Sequence, residues 1–404
     1  MTMQALLDRP EIASLTGASN ARQASADAAR AHGWPTRADE AWHYTDLNAR
    51  LKMFDLGLPR DRPDRAVSLP ANDGPQIVFV NGRYSEAQSG RLSFVSRYQP
   101  RSSTAGDPEL PMVALNTAIA TDGVSVNIPE HSDAGTVFLI SIADVDDQAV
   151  ISPRHRVTLG PNATLALIET AQGHGDYLHN PVIEIELAEG AVLKHYRLQN
   201  ESAGCVHVAT IFARIQSGAT YEFFTLSCGA AMSRTETHAR LAGPEASVQL
   251  NAAQLLTGTQ HGDVTSVISH DAPRCASRQT VKSVLAGTAR GVFQGRIEVA
   301  RPAQKTDGYQ MNQALLLSPT AEIDCKPELE IFADDVKCSH GATIGALDPE
   351  QLFYLRSRGI AESDARAMLI RAFLDEAFEP VRNEAARQMF ETAIDAWWQD
   401  QKAL

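Results

Sequence analysis

The middle of the chain repeats a short strand–turn–strand pattern at nearly constant spacing. Stretches of alternating apolar and polar residues flank turns that contain Gly160, Gly190, Gly218 and Gly243, so the turns recur every 25 to 30 residues. No long helical segment separates these units. One such unit cannot cover its own apolar face, whereas stacked units cover one another. The repeat therefore predicts a β-solenoid, most simply a β-helix, although the same alternation also fits a β-sandwich of short strands.

The segments outside the repeat have helical patterns. Ser19 or Asn20 and Gly33 are suited to begin and end one helix, and Asp348, Pro349 and Gly359 suit the ends of another. A connector rich in proline, aspartate and arginine precedes the repeat. We therefore predict an N-terminal helical region (1–72), a β-solenoid core (73–345) and a C-terminal helical region (346–404). The helical regions would cover strand edges that an open solenoid leaves exposed.

Composition narrows the possible partners. A formal net charge of −13 over 404 residues argues against nucleic acid and against an anionic membrane surface as the main partner. The first residues show no secretory signal pattern, and the most apolar run, 136–145, is too short to span a bilayer as a helix. The five cysteines form no CxxC, which indicates reduced thiols and a cytoplasmic protein.

Standard catalytic motifs are missing from the sequence. It contains no GxxxxGK[ST], no GxGxxG after a predicted strand, no GxSxG and no HExxH. A self-sufficient ATPase, dehydrogenase or hydrolase is therefore disfavoured, and we expect a protein that is not an enzyme.

One stretch still carries chemistry, "EIDCKPELEIFADDVKCSH" (322–340). Its carboxylates alternate with apolar residues, which is typical of a solvated strand face. Cys338 and His340 are predicted in a glycine-containing loop and are candidate metal or sulfur ligands. A structural zinc site or an iron–sulfur cluster needs more ligands than these two, so the rest would have to come from elsewhere, for example across a subunit interface. Among the other histidines, His174 and His179 are predicted to be solvated, and His261 with Asp263 and His270 to be a structural polar cluster.

Three motifs together resemble the SufB/SufD family of iron–sulfur cluster assembly proteins. They are "GWPTRADEAWHYTDL", "VFVNGRYS" and "DDVKCSHGATIGALDPEQLFYLRSRGI" followed by "ESDARAMLIRAF". The resemblance runs over nearly the whole chain, and the Ser-His-Gly-Ala-Thr stretch after Cys338 is similar to the SufD branch. His43 departs from the family, which usually has Arg or Lys there.

The resemblance implies a right-handed parallel β-helix with α-helical regions at both ends. It also implies a non-catalytic scaffold subunit that pairs with SufB and with the SufC ATPase, and that forms a homodimer when alone. No cofactor would be bound stably by this chain alone; iron or a transient iron–sulfur cluster would be held with SufB at Cys338 and His340, and ATP with magnesium by SufC. The resemblance places SufC on the C-terminal helices, where the candidate contacts are Phe353, Tyr354, Arg356, Arg358 and Phe373.

Two other functions fit the same pattern of strands. One is a β-helix enzyme that acts on polysaccharides through clustered carboxylates, which the missing secretory signal disfavours. The other is a self-associating structural solenoid that needs no ATPase partner.

Overall fold

The computed structural model describes residues 1–60, 72, 74–98 and 110–402. The strands are β1 (Gln76–Val80), β2 (Arg83–Tyr84), β3 (Val95–Arg97), β4 (Val124–Ile128), β5 (Asp133–Asp144), β6 (Ala149–Ile151), β7 (Arg154–Leu159), β8 (Thr164–His174), β9 (Tyr177–His179), β10 (Val182–Leu187), β11 (Val192–Glu201), β12 (Val206–Ile215), β13 (Thr220–Ser227), β14 (Met232–Leu241), β15 (Ser247–Leu256), β16 (His261–His270), β17 (Ala276–Leu285), β18 (Arg290–Val299), β19 (Asp307–Leu316), β20 (Glu322–Ile331) and β21 (Lys337–Gly345). The α-helices are α1 (Met3–Leu7), α2 (Pro10–Thr16), α3 (Asn20–His32), α4 (Leu47–Leu51), α5 (Pro111–Ile119), α6 (Pro349–Ser357), α7 (Glu362–Phe378) and α8 (Glu384–Lys402).

The strands form two long sheets that face each other. One sheet has the order β2-β1-β5-β8-β11-β13-β15-β17-β19-β21, and the other runs β20-β18-β16-β14-β12-β10-β7-β4-β3. From β5 to β21 neighbouring strands are parallel. From β10 onward each strand pairs in register with the one that lies two strands further along the chain, whereas β5, β7 and β8 pair with the strand three further along. This is a β-solenoid of about 8 turns. It confirms the predicted solenoid and rules out the β-sandwich, whose strands would pair antiparallel.

Each coil of the solenoid contains a tight turn that is hydrogen-bonded to the equivalent turn of the next coil. In successive turns one residue has positive φ: Asn162, Gly190, Gly218, Glu245, Arg274 and Lys305. Each of these residues donates its backbone N–H to a carbonyl of the next turn, as Gly190 does to Ser217 at 3.0 Å. A small residue usually follows, such as Ala191 or Ala219, and is fully buried. The feature that recurs in every coil is therefore a residue with left-handed backbone conformation. Glycine occupies this position in only some of the coils.

The two helical regions cover the outer faces of the sheets. An aromatic cluster of Phe224, Phe378 and Phe390 joins the 10-stranded sheet to α7 and α8, with ring centres 4.7 to 5.7 Å apart. In the N-terminal region Ser19 caps α3 and Gly33 ends it, as predicted. Trp42 lies on a 3₁₀ turn, Glu40–Trp42, that is separate from α4. The predicted connector before the core lies mostly outside the described residues, at 61–71 and 73, so the predicted domain boundaries stay predictions.

Within the described residues, none of the helices combines the length and the hydropathy that crossing a membrane requires.

Candidate functional site at the open rim of the solenoid

The solenoid ends in two strands, β20 and β21, which together we call the open rim. Their outer edges are unpaired among the described residues. β20 is the last strand of one sheet and β21 the last strand of the other. Three apolar side chains near these edges are exposed, with relative accessibilities of 39% for Ile331, 65% for Phe332 and 57% for Ile344. An unpaired edge beside exposed apolar residues is a surface that another strand can extend.

Cys338 and His340 both lie on β21, so the prediction that they lie in a loop was wrong. They are two residues apart, and alternate residues of a strand share a face. Cys338 pairs in register with Gly308 and packs against the apolar core, so this shared face points into the solenoid. Burial raises the pKa of the half-buried Cys338 thiol, and nearby Asp307 adds to this effect. His340 is exposed.

Cys338 and His340 are too few ligands for a metal site of their own. Within the described residues, the one group of three potential ligands whose donor atoms lie within 4.8 Å of one another is elsewhere in the solenoid. If these two residues bind a metal, the further ligands must come from another source, and the predicted half-site stays a prediction.

The carboxylates of β20 are engaged on the outer surface. Asp324 accepts from Arg290 at 2.5 Å, and Glu328 lies 3.3 Å from Lys326. The predicted solvated strand face is thus confirmed. These ion-paired carboxylates give no support to the polysaccharide-acting alternative, which needs a carboxylic acid and a carboxylate on either side of a glycosidic bond.

Buried amides lie directly beneath the rim. Gln310 and Asn312 on β19 are fully buried, and they pair in register with His340 and Ala342 on β21. The side-chain nitrogen and oxygen of each amide have no hydrogen-bond partner in the described part of the chain. Asn312 approaches the thiol of Cys325, the other cysteine near the rim. The inner face below Cys338 and His340 is therefore polar, and it contains buried amide atoms without hydrogen-bond partners among the described residues.

The predicted ATPase-docking residues separate into two groups. α6 contains no buried residue; Phe353 is 73% exposed and Tyr354 is 56% exposed, while Arg356 and Arg358 are also exposed. Phe353 and Tyr354 are thus not helix core. Phe373 lies apart on α7, half-buried, with the Lys282 ammonium 4.6 Å from its ring centre. α6 therefore presents exposed aromatic and basic side chains, whereas Phe373 helps to attach α7 to the solenoid.

Most of the charged clusters on the strands of the solenoid were missed in the sequence analysis. His261 and Asp263 do form a polar cluster, but with Thr45 of the N-terminal region and with Arg234; His270 is separate and bonds Ser277 at 2.9 Å. His179 is buried and contacts Glu201 at 2.8 Å, so the prediction that it is solvated was wrong. The repeat itself carried the signal, because His179 and His207 are one coil apart and pair in register.

The sequence matches the family model described as "SUF system FeS cluster assembly, SufBD core domain" over residues 141–373. The chain belongs to the SufBD family. It is 33% identical to the iron–sulfur cluster assembly protein SufD of Escherichia coli over 372 residues, covering 88% of this chain and 87% of that protein. It is 38% identical to the Arabidopsis thaliana protein ABCI7, chloroplastic, over 403 residues, covering 91% of this chain and 83% of that protein.

Another relative is an iron–sulfur cluster assembly SufBD family protein of Synechocystis, 31% identical over 395 residues, with 90% of this chain and 87% of that protein covered. The predicted family is confirmed, and the similarity to a SufD protein agrees with the predicted SufD branch. SufBD relatives of this kind support a role in iron–sulfur cluster assembly.

Proposed function

We propose that this SufBD chain is a non-catalytic scaffold subunit whose open rim pairs with the β-helix of a SufB partner. The observation that carries the proposal is the last coil of the solenoid, which presents Cys338 and His340 on the inner face of its final strand; the outer edge of that strand is unpaired among the described residues. A second solenoid docked on β20 and β21 would satisfy the open edges and cover Ile331, Phe332 and Ile344. It would also bring further ligands to the half-site.

At such a junction Cys338 and His340 would help to hold iron or a nascent cluster as cargo. A thiolate and an imidazole are suitable ligands for iron–sulfur chemistry. Because burial raises the pKa of Cys338, iron or a neighbouring positive charge is needed to stabilise its thiolate. The thiol is then a ligand only when the cargo arrives, which suits a transient site.

The energy source would be a separate SufC ATPase bound to α6. Four exposed candidates, Phe353, Tyr354, Arg356 and Arg358, lie on this helix or at its end, and two of them are large aromatic residues of the kind that dominate interfaces. ATP and magnesium would belong to that partner. Closure of two ATPase subunits would pull on the C-terminal helices of both scaffold chains.

A structural path leads from α6 to the sheet that ends in β21. α6 contacts α7, and α7 packs on β15 and β17 of that sheet. Lys282 on β17 forms an ion pair with Glu376 on α7 as well as its contact with Phe373. Closure that ATP binding favours would shift the population toward an altered rim, where Cys338 and His340 become available to iron or sulfur.

Co-purification tests the assembly directly. The full chain is co-expressed with SufB and SufC and captured through an affinity tag on this chain. A stoichiometric complex supports the scaffold function, and the chain alone is expected to elute as a homodimer through the same rim. If neither partner is captured while the chain is folded, the proposed assembly is wrong.

A further inference from the structure

The inner face of the last coil contains a second cysteine, on the sheet that faces β21. Cys325 on β20 is half-buried, pairs in register with Phe293 on β18, and packs against the buried cluster that contains Phe293. The preceding residue, Asp324, forms its ion pair with Arg290 on the outer surface, so Cys325 points into the solenoid. Cys325 therefore belongs to the inner face of the open rim, opposite β21.

A buried amide from the facing sheet approaches this thiol. Asn312 on β19 is fully buried, and its side chain lies beside Cys325. Its nitrogen and its oxygen have no hydrogen-bond partner among the described residues, and the same holds for both amide atoms of Gln310, on the same face of β19. Buried polar atoms in folded proteins nearly always have partners. Two amide groups are therefore available beside Cys325 for a group that the described part of the chain does not supply.

A negatively charged sulfur atom suits this place better than a metal ion. Hydrogen bonds from N–H groups favour the charged form of a thiol and stabilise the sulfur atoms of iron–sulfur clusters. In the described part of the chain, Cys325 belongs to no group of three potential metal ligands with closely spaced donor atoms. The ligand that fits Cys325 and its amides is therefore a sulfur species.

Cys325 differs in its surroundings from another half-buried cysteine, Cys228. Burial raises the pKa of the Cys325 thiol, and the Asn312 amide opposes this rise. Burial raises the pKa of Cys228 to about 12, and that thiol donates to the carbonyl of Gln199, 3.6 Å away. A donor beside sulfur favours the anion, whereas a carbonyl acceptor favours the neutral thiol. Cys325 is thus the better suited of the two to carry a negatively charged sulfur atom.

We propose that Cys325 accepts a sulfur atom from a persulfide donor and holds it as a cysteine persulfide at the open rim. The Cys325 thiolate attacks the terminal sulfur of the donor, the S–S bond of the donor breaks, and a new S–S bond forms at Sγ of Cys325. The donor leaves as a thiolate and takes up the proton that Cys325 released, so the transfer involves no net oxidation or reduction. The amides of Asn312 and Gln310 donate hydrogen bonds to the transferred sulfur.

This inference deepens the proposed function and rests on it for the use of the stored sulfur. Iron–sulfur cluster formation needs sulfur as well as iron. A persulfide on β20 would lie on the strand opposite Cys338 and His340, so sulfur and iron would be held on the two strands of one rim. Docking of a partner solenoid would then enclose both.

The test uses the full chain alone, reduced, under anaerobic conditions, and dilute enough that self-association does not close the rim. The chain is treated with glutathione persulfide, freed of the reagent and alkylated with iodoacetamide, and peptide mass spectrometry then measures the added sulfur at each cysteine. We expect Cys325 to carry at least about ten times as much added sulfur as Cys228, because a hydrogen bond to a charged group stabilises it by at least about that factor. Asn312→Leu should lower the sulfur at Cys325 about tenfold.

Gln279→Leu is the matched control, because Gln279 is a buried amide one coil further from the rim and is already bonded to Ser266 at 3.0 Å. It should leave the sulfur at Cys325 unchanged. Absence of sulfur at Cys325 overturns the proposal, and so does unchanged sulfur at Cys325 in folded Asn312→Leu. If Asn312→Leu does not fold, the unsubstituted chain decides: an excess at Cys325 over Cys228 supports the site, and equal labelling contradicts it. Neither SufB nor SufC takes part, so the outcome is independent of the proposed pairing with them.

Discussion

The guanidinium carbon of Arg234 lies 4.2 Å from the centre of the Trp42 ring, and both side chains are buried. Arg234 belongs to β14, and Trp42 to the motif "EAWHYTD" of the N-terminal region. Glu236 and Asp263 hold the guanidinium from the solenoid side, and the Thr45 hydroxyl donates to Asp263 at 2.6 Å. This motif therefore fastens the N-terminal region to the outer face of the solenoid.

Replacing Trp42 should loosen that attachment. Trp42→Ala removes a buried aromatic ring and its stacking on a buried cation, and we expect the free energy of unfolding to fall by about 3–5 kcal/mol. Urea unfolding followed by circular dichroism measures the change. Met53→Ala, at a side chain that is 81% exposed in the same region, should change stability by less than about 0.5 kcal/mol. Equal stabilities of the two variants would contradict the role of Trp42.

The solenoid was predictable because its coils are local repeats. The alternation of apolar and polar residues predicted the strands. Gly190 and Gly218 predicted turns, and both residues do have positive φ. The other turns were harder to place, because Asn162, Glu245 and Arg274 occupy the same left-handed position without being glycine. Tracking the glycines alone therefore gave a less regular interval than the backbone has.

The site was only partly predictable for a different reason. Cys338 and His340 were recognisable by residue type, but their strand was mistaken for a loop because glycine and small residues lower its apparent strand propensity. The burial of His179 depends on which coil face it occupies, and the pairing of Arg234 with Trp42 joins residues far apart in the chain. The contact between Arg234 and Trp42 leaves no periodic signal in a single sequence.

Buried neutral histidines should make stability depend on pH. Burial lowers the pKa of His270 from 6.5 to about 4, an effect that Asp271 partly opposes. Between these values the unfolded chain binds a proton that the folded chain does not, so the stability that is present above pH 6.5 is lost as the pH falls toward 4. One such histidine contributes a slope of up to about 1.4 kcal/mol per pH unit.

Urea unfolding between pH 5 and 7 tests this contribution. We expect His270→Gln to show a shallower dependence of unfolding free energy on pH than the unsubstituted chain. His174→Gln, at an exposed histidine, is the matched control. Burial also lowers the pKa values of His155, His207 and His261 to about 4, so the unfolding free energy should still depend on pH in every variant. Parallel curves for His270→Gln and the unsubstituted chain would show that His270 is not the group involved.

The exposed face of α6 should matter for partner binding and not for folding. Phe353→Ala combined with Tyr354→Ala removes two aromatic side chains that contribute nothing to the core, so stability should change by less than about 0.5 kcal/mol. If SufC docks there, the affinity for the ATPase should fall at least about tenfold, since central aromatic residues dominate binding energy. Calorimetric titration of the chain with SufC measures this. Met368→Ala, on α7 and 50% exposed, is the control that should retain binding.

The inward face of β21 should be required for cluster formation within an assembled complex. Cys338→Ala and His340→Ala each remove one ligand from the half-site, and we expect the rate of cluster formation with SufB and SufC to fall about tenfold or more, while the subunits still co-purify. Ser339→Ala is the matched control, because Ser339 is exposed on the opposite face of the same strand. The rate is followed by the visible absorption of the cluster under anaerobic conditions. Loss of activity in Ser339→Ala as well would point to a general disturbance of the edge strand. Normal rates in both ligand variants, with the complex intact, would remove Cys338 and His340 from the assembly site and leave the rim as a pairing surface alone.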